Sequence, residues 1–231
     1  MKKIIIAILM TLGTFSMVSA EIGIKVGVSA QIGTMETSGS ESNSDGVTAT
    51  QTSPIREALF GTAGYFIEKD LKFLPVPIIN RISVGYDNIA HDLDLGTASN
   101  VRLASLGASG ATVVATEHSV NAKVDGFETV YATLNITDWL YVKAGSVTVD
   151  VKTKFVGSDT SAYATNHSLD GTMTGIGLAH QSDSGLFFRL EYNDYEIDGK
   201  SVANTGTDSK FTAKLNDVSG STGRISIGKA F

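Results

Sequence analysis

The sequence contains no cysteine, only 3 prolines in 231 residues, and no long apolar run beyond its first twenty positions. Lack of cysteine excludes disulfide frameworks, thiol nucleophiles and Cys-ligated zinc or iron–sulfur centres. Without a stretch of roughly 18 consecutive apolar residues there is no transmembrane helix after the leader. Cations are the minority charge, 18 Lys and Arg against 24 Asp and Glu for a formal net charge of −6. They are not clustered, so the phosphate neutralisation that nucleic-acid binding requires is absent. Yet 42% of positions are hydrophobic and only 18% charged, which excludes a disordered chain. A single domain is expected at this length.

The first twenty residues read as a secretory signal. Lys2 and Lys3 precede the apolar segment 4–12, and Val18-Ser19-Ala20 supplies a small-residue cleavage site. The expected domain organisation is a signal peptide over 1–20 and one β-domain over 21–231. No cysteine stands at the cleavage point, so a lipid-anchored form is not expected.

From there the dominant period is two, the signature of strands with two unlike faces. Segment 22–32 alternates cleanly, and further strands are expected over about 56–67, 78–89, 118–134, 139–155, 171–180, 186–193 and 223–231. In 56–67 the aromatic and aliphatic residues fall on both parities and leave the phase open. In 118–134 Val120, Ala122 and Val124 share a parity with Glu128 while Phe127 and Tyr131 take the other, so a bulge near Asp125-Gly126 is expected. A second phase slip is expected at Gly145-Ser146, where Leu140, Val142 and Ala144 give way to Val147, Val149 and Val151.

The connections alternate in length. Long polar segments at 36–54, 91–116, 157–170 and 198–222 alternate with short links at 68–77, 135–138 and 181–185, and all three prolines fall in connections. Short turns on one rim and long loops on the other, with an even strand number, characterise outer-membrane barrels. The expected fold class is therefore an all-β, eight-stranded antiparallel up-and-down transmembrane β-barrel. Segment 211–215 leaves a ten-strand scheme open if another strand lies in 91–116.

The C-terminal Gly-Arg-Ile-Ser-Ile-Gly-Lys-Ala-Phe ends on an aromatic residue preceded by apolar residues at alternate positions. It is similar to the terminal signature of bacterial outer-membrane proteins. With the leader and the loop pattern, the mature chain resembles the small eight-stranded OmpA/OmpX/OmpW-type barrels. The resemblance implies a Gram-negative outer-membrane location among lipopolysaccharide, and recognition of the last strand (Ile225, Ile227, Phe231) by the barrel assembly machinery. Lys229 departs from the apolar residue common near that end, though a lysine there can snorkel to water. The tethering role of longer OmpA-type proteins, which carry an added peptidoglycan-binding domain, is not implied.

A soluble β-barrel or sandwich is the rival architecture, since periodicity alone does not say which face is inside. The glycine-rich, charge-bearing face suits a narrow lumen, and the apolar face carries few charges. The expected lumen network is Lys25, Arg81, Asp87, Glu128, Lys143, Arg189, Glu191 and Arg224, either as a permanent plug or as the gate of a narrow pore. Trp139, Tyr141, Tyr65 and Tyr131 are expected in an interfacial girdle near the short turns. His91, with Asp87, Asp92, Asp94 and His118, is the one grouping that invites an enzyme or metal reading. No Gly-x-Ser-x-Gly, His-Glu-x-x-His or phosphate-loop motif supports it. No catalytic, cofactor or metal site is expected. The leading functional reading is a monomeric structural or cell-surface interaction protein with an external ligand unknown from sequence. The alternative is a pore for small solutes or ions.

Overall fold

In a computed structural model, the described residues are 23–43, 51–72, 76, 78–89, 92–104, 114–156, 165–204 and 211–231. The leader and the histidine at 91 lie outside them. Among the described residues eleven strands are present: β1 (Ile24–Asn43), β2 (Gln51–Asp70), β3 (Ile82–Ile89), β4 (Leu93–Ala104), β5 (Val114–Asn135), β6 (Leu140–Val156), β7 (Asn166–Gln181), β8 (Leu186–Ile197), β9 (Lys200–Ala203), β10 (Phe211–Leu215) and β11 (Val218–Ala230). All pairings are antiparallel, and β11 pairs back onto β1 to close the sheet.

Eleven strands make eight staves. β3 and β4 pair successive stretches of β5, so they form one stave interrupted near residue 92. Likewise β11 and then β10 pair successive stretches of β1, and β9 pairs β10 beyond the end of β8. The segment 211–215 and the strand within 91–116 therefore lengthen existing staves and add none. The long connections are correspondingly shorter than the sequence suggests: β1 runs to Asn43 and β2 begins at Gln51. Pro54 falls inside β2, at the irregularity where the register passes from Thr37↔Arg56 to Gly39↔Ser53. A bulge is where a strand tolerates a residue that cannot donate to the ladder.

The expected bulge in β5 is present, between Val124 and Gly126 against β6. The slip expected at Gly145-Ser146 does not occur, because the β6 register with both neighbours is unbroken there. Val147 and Val149 lie on the same inward face as Tyr141 and Lys143. What changes along β6 is the medium on each side of the wall, and the chain keeps its phase. In β2 the phase is also fixed: Phe60, Thr62 and Phe66 point inward, while Leu59, Tyr65 and Ile67 point outward.

Near the short-turn rim the exterior is apolar and exposed. Phe188, Leu190 and Tyr192 on β8, Ile176 and Leu178 on β7, and Ile225 and Ile227 on β11 are each about half accessible. Toward the long-loop rim the same outward positions become polar, through Thr172 and Asp170 on β7 and Asp194 and Glu196 on β8. A soluble barrel would not leave a contiguous apolar belt in water. A barrel whose lower half faces lipid and whose upper half faces water would show this reversal.

Candidate functional site: the filled interior

Side chains at alternate positions of every stave meet inside the lower barrel, and there the sequence supplies charge. Glu68, 1% exposed, receives two hydrogen bonds from the Arg189 guanidinium at 2.8 Å each. The Tyr131 hydroxyl donates to the same carboxylate at 3.2 Å. Lys25 bridges Glu68 at 3.4 Å and Asp70 at 2.6 Å, and the Ser83 hydroxyl donates to Asp70 at 2.6 Å. Across the lumen, the Tyr141 hydroxyl donates to Glu191 at 2.5 Å, while Lys143 Nζ and Arg224 Nε each stand 3.5 Å from Glu191 Oε2. Arg224 also pairs with Asp87.

Four cations thus face four carboxylates. A buried charge is tolerated when paired and further hydrogen-bonded, and both conditions hold for Glu68 and Asp70. Aromatic faces complete the lining: Lys143 Nζ lies 4.0 Å from the Tyr131 ring centroid, and the Arg189 guanidinium 4.9 Å from that of Phe187. The rings have room because glycine stands opposite them. Gly85 pairs across the ladder with Tyr131, and Gly177 with Tyr141. A Cβ at either glycine would overlap the ring.

Above this layer the interior turns apolar. Phe127, Tyr131, Val147, Val149, Leu169, Met173, Tyr195 and Ile197 form one buried cluster. Phe127 and Tyr195 meet edge to face with centroids 5.5 Å apart. Met173 and Val147 are 1% and 0% exposed, so the centre of the cluster is screened from solvent.

Of the residues expected in the lumen, Lys25, Asp87, Lys143, Arg189, Glu191 and Arg224 converge on this network. Two do not. Arg81 ends the 3₁₀ turn Ile79–Arg81, is exposed, and donates to the Ile136 carbonyl at the short-turn mouth. Glu128 points outward and is exposed, accepting a hydrogen bond from Asn88 at 3.4 Å. With Val124 directed inward, the bulge puts Phe127 inward too and turns Glu128 out.

Glu68 and Asp70 were missed because segment 68–77 reads as a connection, although both continue the even, inward parity of Thr62 and Phe66. The girdle is corrected as well: Tyr131 and Tyr141 are buried network members, while Trp139 and Tyr65 are on the exterior. Ile225 and Ile227 are exposed on the outer wall, and Phe231 closes the seam by accepting from Gly23 N and donating to the Ile24 carbonyl. On the polar exterior, Lys152 lies 2.5 Å from Asp125. That hydrogen-bonded carboxylate holds its ammonium pKa above the ordinary value. Among the described residues no His, Asp and Glu grouping has metal-binding geometry.

No protein-family model matches the chain, and no curated protein sequence does. Among solved structures it is similar to the outer membrane protease OmpT from Escherichia coli, at 7% identity and TM-score 0.50 over 94% of this chain and 100% of that one. It is also similar to the outer membrane protein OprG from Pseudomonas aeruginosa, at 8% identity and TM-score 0.44 over 91% and 98%. A further likeness is to Ail, the attachment invasion locus protein of Yersinia pestis, at 12% identity and TM-score 0.29 over 85% and 97%. At 7% identity the likeness to OmpT is one of fold alone. Closure through β11 and β1, eight antiparallel staves and the apolar lower exterior define the class: this is a small outer-membrane-type β-barrel.

Proposed function

We propose that the chain is a closed, monomeric barrel of the Gram-negative outer membrane with a structural or cell-surface interaction role. The observation that carries this reading is the doubly filled interior, ions below and an apolar cluster above. Eight staves leave an interior about wide enough for side chains alone, and here large ones occupy both levels.

The orientation follows from the rims. Short turns face the periplasm, and the polar upper barrel with its four connections projects among and beyond the lipopolysaccharide, where an external ligand would be met. The C-terminal strand, with Ile225, Ile227 and Phe231, is the segment offered to the assembly machinery during biogenesis, after export and signal cleavage. The role needs no catalytic group.

Ion conductance across a planar bilayer tests this reading, using protein refolded in detergent and checked for insertion by heat-modifiable gel mobility. Inserted protein is expected to be electrically silent. Discrete current steps from the unmodified chain would overturn the closed reading in favour of a narrow pore with the ion network as its gate.

A further inference from the structure

The network leaves a second polar feature unused. At the short-turn mouth an open vestibule of about 290 Å³ is lined by Lys25, Lys72, Arg81 and Arg189, with Asn80, Thr137 and Gln181 beside them and Asp138 as its one carboxylate. Lys25 and Arg189 are engaged by Glu68 and Asp70 behind the vestibule wall. Lys72 and Arg81 are less committed. Leu71 N donates to the Ile82 carbonyl, so Lys72 and Arg81 flank one another at the base of their turn. Lys72 has a side chain 61% exposed and, among the described residues, no ion-pair partner nearer than Asp70 at 3.9 Å. Arg81 spends one N–H on the Ile136 carbonyl at 3.4 Å.

The same turns expose apolar side chains. Val76 is 44% exposed, Ile78 69%, Ile136 46% and Trp139 58%. Arg81 N donates to the Ile78 carbonyl, and Ile136 N donates to that of Leu140, so each apolar group belongs to a turn that also carries vestibule residues. Cations beside exposed aliphatic and indole groups suit a boundary between charged headgroups and acyl chains. A free inorganic anion would leave the apolar half of this surface unexplained.

We propose that this rim is a binding site for an anionic phospholipid of the periplasmic leaflet, with Lys72 and Arg81 holding the phosphate and Ile78, Ile136 and Trp139 contacting the glycerol and upper acyl chain. The site rests on the membrane orientation proposed above. Neighbouring cations near an anionic headgroup each contribute enough to give the pair on the order of tenfold preference over a zwitterionic lipid.

Trp139 is the only tryptophan, which makes it a built-in reporter. The full chain, refolded into phosphatidylcholine vesicles, is titrated with brominated phosphatidylglycerol or brominated phosphatidylcholine, and quenching of Trp139 is compared. Stronger quenching by the glycerol lipid, by about tenfold in relative binding constant, is expected. It should fall toward unity in Lys72→Gln/Arg81→Gln and persist in Lys123→Gln/Lys152→Gln on the opposite, polar half. Equal quenching by the two lipids, or a preference surviving in Lys72→Gln/Arg81→Gln, would overturn the site. Loss of the preference on adding inorganic phosphate at constant ionic strength would assign the cations to a free anion and overturn the lipid assignment. Quenching by neither lipid, in protein whose heat-modifiable mobility shows it folded, would overturn the proposed insertion itself and the site with it.

Discussion

Removing the Glu68 carboxylate would leave Arg189 without its two hydrogen bonds and Lys25 with Asp70 alone. Breaking a buried pair from one side costs about 3–5 kcal/mol, because the surviving charge stays desolvated. Glu68→Gln is therefore expected to lower the unfolding free energy of the refolded barrel, read from urea titration, by that amount, and Glu128→Gln to move it by less than about 0.5 kcal/mol, as for an exposed surface group. Equal effects would contradict the inward and outward placements of the two glutamates. The pair also shows what alternation can and cannot reveal at this scale. Arg189 and Glu191 can be phased from sequence because β8 alternates without interruption between Leu186 and Tyr192. Glu68 sits at the last turn of a strand whose parity is blurred by Phe60, Tyr65 and Ile67. Glu128 requires knowing that the face shared by Val124 and Phe127 is the interior. An aliphatic residue points to lipid in the lower barrel and to the core in the upper one, so the sequence pattern reads oppositely in the two halves.

At the scale of one strand, Asp125 is the extra residue of the β5 bulge, lying between the pairs Val124↔Val151 and Gly126↔Asp150. Without it, those pairs become consecutive, and Val124 and Phe127 remain on the inward face. Among the described residues its side chain makes only an exposed ion pair with Lys152, worth little on a surface. Deletion of Asp125 is accordingly expected to give a barrel that still refolds and keeps heat-modifiable mobility. Deletion of Val130, in the regular ladder, moves one flank of β5 by one residue and turns its side chains to the wrong faces, so refolding should fail. If the two deletions behave alike, the bulge is not where the pairing places it. Strand ends beyond the apolar belt are hard to read for a related reason: 36–43 and 200–203 are mostly polar in sequence and have no hydrophobic alternation to mark them, and only cross-strand pairing shows that β1, β9 and β10 extend staves.

If two unlike layers close the barrel as proposed, each should suffice without the other. The lower layer holds its bulk in charged and aromatic side chains, and the upper one in Met173, Tyr195, Phe127 and their aliphatic neighbours. Opening one should leave the other across the path. Glu68→Ser/Arg189→Ser removes a matched ion pair without stranding either partner's charge on the other. Met173→Ser/Tyr195→Ser removes bulk from the apolar cluster. Each double variant is expected to insert and remain silent in a planar bilayer, while the fourfold variant conducts. Conductance from Glu68→Ser/Arg189→Ser alone would show that the apolar cluster does not close the barrel, and the ion network would then be its sole barrier. The geometry favours the first outcome, because the cluster draws buried residues from β5, β6, β7 and β8 and partly buried ones from β1, β10 and β11, which surround the axis from nearly every stave.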